Sequence, residues 1–132
     1  MQSLLRPAVA LLATLTFSFA AVPDDVRQNL DKLVPEAIRL LEAKEYVTVL
    51  EILMLPEDFK NITENLPVAE FAAKFGEQKA AKLLAVLKAA KDLKPILSED
   101  GNIATFELPE NPEFPRKALV FERIDGRWFI KN

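Results

Sequence analysis

Cysteine and histidine are both absent from the 132 residues, and glycine appears only 3 times. Without thiols the chain forms no disulfide and offers no cysteine nucleophile or thiolate metal ligand. Without imidazole it has no Ser-His triad and no histidine acid–base or metal chemistry. Gly76, Gly101 and Gly126 stand too far apart to form a glycine-rich phosphate loop. These absences remove most enzyme classes, and no catalytic residue, cofactor or metal is expected.

What is present is a globular composition. Hydrophobic residues make up 50% and charged residues 28%, enough to bury one core, and the length suits a single domain. The first residues, Met1 to Ala20, carry Arg6, then an uncharged run from Ala8 to Phe19, then small residues at Ser18 and Ala20. That is the pattern of a secretory signal cut between Ala20 and Ala21. The uncharged stretch from Pro7 to Val22 is shorter than the roughly 20 residues that span hydrocarbon, and no cysteine follows the cut to carry a lipid. The expectation is residues 1–20 as signal peptide and 21–132 as one domain, secreted or periplasmic, with no stable membrane anchor after cleavage. Loss of Arg6 leaves 16 basic against 20 acidic residues, a net of −4, which disfavours nucleic acid as a partner because phosphate binding needs clustered positive charge. Asn61-Ile62-Thr63 is a glycosylation sequon, relevant only in a eukaryotic host.

Apolar residues at Val26, Leu30, Leu33, Val34, Ala37, Ile38 and Leu41 follow a helical period. Pro35 interrupts this stripe without shifting its phase, which predicts a bent helix or two nearly collinear ones. After a joint at Ala43-Lys44-Glu45, the segment Tyr46 to Leu55 reads as a buried helix with Thr48 and Glu51 on its polar side. Pro56-Glu57-Asp58 opens another helical turn. Pro67 opens a helix through Phe75, and a phase change to Leu83, Leu84 and Leu87 predicts a break near Gly76, where glycine can end a helix in the left-handed region.

After Pro95 the period switches from 3.6 to 2. Strands are expected at Ile96 to Ser98, Asn102 to Leu108, Lys117 to Ile124 and Arg127 to Lys131. Asp100-Gly101 and Asp125-Gly126 both read as two-residue hairpin turns. With Asp125 and Gly126 as the loop, Ile124 faces Arg127, Arg123 faces Trp128 and Phe121 faces Ile130. Leu119, Phe121, Trp128 and Ile130 then share one face, and Val120, Ile124 and Phe129 the other, so both faces should be covered. The fold class is α+β: four or five helices packed on a carboxy-terminal antiparallel meander of three to four strands.

The terminal run Phe121 to Lys131, with its Asp-Gly turn and the tryptophan on the closing strand, resembles small exported proteins of the nuclear-transport-factor-two-like fold. The Ala43-Lys44-Glu45-Tyr46 joint is similar to their step between helices. The resemblance implies a cone of helices wrapped by antiparallel sheet, with a strand or strand pair among the helices, although no strand pattern precedes Ile96. It also implies two functional classes. Some members are isomerases or dehydratases that line the cone with Asp, Tyr or His, and others bind or assist without catalysis.

A catalytic carboxylate needs an apolar wall that raises its pKa. Glu51, Glu107 and Glu122 each project to the polar side of their element, and Ser98-Glu99-Asp100-Gly101-Asn102 lacks the alternating acids of a calcium loop. The candidate binding residues are Tyr46, Arg123 and Trp128, which would take an anionic or aromatic ligand, and Phe114 in the stiff loop Pro109 to Pro115. The expected function is a non-catalytic exported module binding a small ligand or partner protein through its sheet side. The alternatives are a carboxylate-dependent isomerase or dehydratase of the same fold, and a structural subunit, possible homodimer included, that pairs through its sheet.

Overall fold

A computed structural model of the protein describes residues 22–131. The signal segment and the Ala20–Ala21 cut lie outside the described residues. Six helices come first: α1 (Asp24–Arg27), α2 (Leu30–Glu42), α3 (Tyr46–Leu53), α4 (Pro56–Thr63), α5 (Val68–Gln78) and α6 (Ala80–Ala90). Four strands follow, β1 (Ile96–Leu97), β2 (Ile103–Glu107), β3 (Ala118–Ile124) and β4 (Arg127–Lys131), paired antiparallel in chain order. The α+β class holds, with six helices among the described residues where four or five were expected.

The extra helix arises at Asn29, one turn before the stripe's main body. Asn29 is extended, its side-chain amide donates to the Asp25 carbonyl at 2.7 Å, and its own carbonyl accepts from Lys32 and Leu33. One residue therefore closes α1 and opens α2. Pro35 lies inside α2 and does not end it. Its side is exposed, as is Asp31 one turn earlier, so the carbonyl that proline leaves unbonded can reach water while the opposite stripe stays buried.

The joint after α2 is a Schellman cap. Glu45 N–H donates to the Leu40 carbonyl and Lys44 N–H to that of Leu41, with Lys44 in the left-handed region at φ 61°. The break between α5 and α6 falls at Lys79 (φ −131°, ψ −19°), three residues later than expected. Gly76 stays helical because its job is close packing: a Cβ there would collide with the Tyr46 ring, 2.7 Å from Cδ2. Thr48 is also misplaced by helical projection. Helix α3 is enclosed by α2, α5 and β4, and Thr48 is 2% exposed, whereas Glu51 does face solvent.

The β3–β4 hairpin follows the expected register, Ile124 to Arg127, Arg123 to Trp128 and Phe121 to Ile130. Asp125 (φ 52°) and Gly126 (φ 83°) supply its two left-handed positions. The β1–β2 turn is longer than expected. Ser98 N–H donates to the Ile103 carbonyl, leaving a four-residue loop in which the Asp100 carboxylate accepts from the Ser98 hydroxyl at 2.6 Å and the Asn102 N–H at 2.9 Å. Those extra bonds favour the wider loop over a two-residue turn.

The helices cover one face of the sheet. Ala104, Phe106, Leu119, Phe121, Trp128 and Ile130 are buried against Leu33, Leu40 and Leu87, each large side chain contributing on the order of 1.5–3 kcal/mol. The other face is only half-buried at Ile103, Val120 and Ile124, and Phe129 alone among its large apolar groups is closed over. Arg27 of α1 covers it, with the guanidinium carbon 5.5 Å from the ring centroid.

Candidate functional site

Helix α3 is apolar on nearly all sides and is packed among α2, α5 and β4. Val49, Leu50 and Leu53, all buried, and the half-buried Met54 just after the helix form the floor of a groove of about 1010 Å³. Helix α4 forms one wall with Asp58, Asn61 and Ile62, while α5 and α6 form the other with Phe71, Phe75, Leu83 and Val86. The proline loop closes one end with Phe114, Pro115 and Arg116, and Ile130 of β4 reaches the floor. Met54 stands beside Ile130 through a parallel bridge, which ties α3 to the outer edge of β4.

The loop is held firmly at this end. Leu108 N–H donates to the Lys117 carbonyl across its base. Asn111 makes a side-chain turn by accepting from Glu113 N–H at 2.8 Å, and its carbonyl accepts from Phe114 N–H. With three prolines, these bonds present Phe114 inward, 2% exposed. A second hollow of about 630 Å³ is lined by the loop's own segment, Leu108 to Lys117. It has no wall from any other element, so the groove is the better-built site.

The four candidate residues divide between two places. Phe114 lines the groove. Tyr46 supports it from behind, its ring meeting Phe75 edge-on at 5.7 Å between centroids and 74° between planes. Arg123 and Trp128 are together but elsewhere: the guanidinium carbon lies 5.0 Å from the Trp128 ring centroid, and Arg123 Nε donates to Asn102 Oδ1 at 3.2 Å. Trp128 is 5% exposed, so the pair caps the sheet end and leaves little indole for a ligand.

Sequence reasoning missed Phe71, Phe75, Leu83 and the cations Lys74, Lys79, Lys82 and Arg116. All seven line the groove. Phe71, Phe75 and Leu83 are half-buried, and periodicity marks such residues as core without distinguishing a groove wall. The cations come from α5, the α5–α6 break, α6 and the loop, so only tertiary packing gathers them. Among the described residues none of the four has an ion-pair partner, the pairs being Lys32–Asp25, Arg39–Glu36, Lys88–Glu42 and Arg127–Asp24.

Shifted titrations lie away from the groove. Burial, then the neighbouring Arg127, holds the Arg27 guanidinium below its ordinary value, against the pull of Asp24 and Glu51. Its Nε is buried with no partner. Arg39 is raised by its paired bonds to Glu36, and Asp100 is lowered by the Ser98 hydroxyl and the Asn102 N–H. Every carboxylate among the described residues is at least partly exposed, so the chain offers no buried acid there for carboxylate catalysis. The described residues hold no group of three or more acidic side chains able to bind a metal, and none of their helices is long and apolar enough to cross a membrane. No family model, curated protein or solved structure matches this chain.

Proposed function

We propose that this chain is an exported, non-catalytic module that binds a small apolar ligand in the groove bounded by α3 to α6 and the proline loop. One observation carries the reading: apolar side chains from four helices, β4 and a stiffened loop, buried at Val49, Leu50, Leu53, Phe114 and Ile130 and half-buried at Ile62, Phe71, Phe75 and Leu83, converge on one opening of about 1010 Å³. That volume is at the upper end for small-molecule sites, which are mostly apolar with a few polar groups at fixed places. Export is supported by the Met1 to Ala20 pattern. Amino-terminal sequencing of the exported protein is expected to read Ala21-Val22-Pro23.

Displacement of Nile red by dodecanol tests the groove. The protein is expected to bind one dodecanol, and Phe71→Asp to lose at least tenfold in affinity while keeping its melting temperature within a few degrees. Equal binding by the variant, or no binding by either, would refute the assignment.

A second reading has its own observation. Ile96 and Leu97, 57% and 55% exposed, lie on β1 at the open edge of the sheet, with Leu93 nearby in sequence. A second copy could pair there, although a two-residue edge strand is also how sheets discourage such pairing. Light scattering at increasing concentration separates the two, since pairing requires twice the monomer mass.

A further inference from the structure

Resting on that groove reading, we infer that the ligand is a single-chain amphiphile with an anionic head, a long-chain carboxylate, whose tail lies on the apolar floor and whose head meets the α5–α6 wall. Charge is the basis. The whole chain is acidic, at −3, and would repel anions at long range. Yet Lys74, Lys79, Lys82 and Arg116 line this one groove against a single acid, Asp58. None of the four is neutralised by an ion pair among the described residues.

The distribution also discriminates among occupants. Three of the cations belong to α5, its junction with α6, and α6, and the fourth to the loop, while the α4 wall contributes Asp58 and Asn61. A carboxylate at the end of a tail needs positive charge on one side only. An acidic amphipathic helix laid in the groove would present its charged flanks to both rims, and Asp58 would then oppose it. A second copy brings the same lysines and arginine to a two-fold contact and would set like charges together. Met54 on the floor is an unbranched side chain that can adjust to a flexible tail, and the half-buried Phe71 and Phe75 flank it from the α5 wall.

The test compares dodecanoate, dodecanol and dodecyltrimethylammonium on the full exported protein, each below its micelle concentration, by displacement of Nile red. An exposed ion pair adds at most about fivefold in affinity, so two or more contacts predict dodecanoate binding about tenfold tighter than dodecanol. Raising the salt should erase that preference without weakening dodecanol. Lys74→Ala with Lys82→Ala should reduce dodecanoate affinity to near that of dodecanol and leave dodecanol unchanged. Both side chains are exposed, and an unchanged melting curve will show that the variant folds. Equal binding of dodecanoate and dodecanol, or tighter binding of the ammonium, overturns the anionic head while leaving the groove assignment intact. Failure of all three to bind overturns both. An acidic amphipathic peptide that binds where dodecanoate does not, or a dimer that hides the groove, also overturns the inference.

Discussion

Thr48 is the clearest case of a side chain whose chemistry and position disagree. It is buried in α3, and its hydroxyl has no hydrogen-bond partner. An unpaired buried hydroxyl costs on the order of 1–3 kcal/mol, whereas valine keeps the shape and removes the cost. Thr48→Val is therefore expected to stabilise the protein by about 1 kcal/mol, read as a higher urea midpoint with unchanged slope. A lower midpoint would mean that the hydroxyl has a partner in solution.

Asp100 shows the opposite behaviour, an exposed carboxylate fully engaged by its neighbours. Its bonds to Ser98 and Asn102 hold its pKa below the ordinary 3.8. The unfolded chain therefore takes up the proton first as pH falls. Stability from this group is fully present above the ordinary value and is lost as pH drops through the folded one. The melting-temperature gap between the protein and Asp100→Ala, measured at about pH 7, should narrow at about pH 2.5. A gap that stays constant would place the bonds' contribution outside the carboxylate's charge.

Among the elements, the α2–α3 joint carries a measurable strain. Lys44 sits at φ 61°, where a residue with a Cβ costs roughly 1–2 kcal/mol and glycine pays only its greater unfolded freedom. Lys44→Gly should raise stability by roughly 0.5–1 kcal/mol in urea unfolding. A destabilised variant would show that the lysine side chain, not the backbone, holds the joint.

Elements whose determinants are local were legible in the sequence. Asp125-Gly126 needs two left-handed residues and nothing else, and the register of β3 on β4 followed from it. The α2 stripe survived Pro35 because the proline falls on the solvent side. Elements set by tertiary contact were not legible. Gly76 reads as a helix end until the Tyr46 ring is placed against it. Asp100-Gly101 reads as a tight turn until the Ser98 and Asp100 side chains are seen bonding within a wider loop. The candidate site suffered most. Phe114 and Tyr46 stand out by residue type and do reach the groove, directly and through Phe75. Lys74, Lys79, Lys82 and Arg116 look like solvated charges along separate segments, and their convergence exists only once α5, α6 and the loop are packed.

For the molecule as a whole, the sheet closes the core from one side, and α3, buried at Val49, Leu50 and Leu53, floors a groove whose walls at Ile62, Phe71, Phe75 and Leu83 stay half-buried. Those half-buried walls, bordered in an acidic protein by lysines and an arginine with no ion pair among the described residues, are the physical basis of the proposed binding. The most direct measurement is an amide ¹H–¹⁵N map of the protein titrated with dodecanoate. Saturable shifts at Leu53, Phe71, Phe75, Leu83 and Phe114, with the Arg123–Trp128 end of the sheet unmoved, are predicted. Shifts confined to β1 or to the Arg123–Trp128 end, or an unchanged spectrum at saturating dodecanoate, would contradict it.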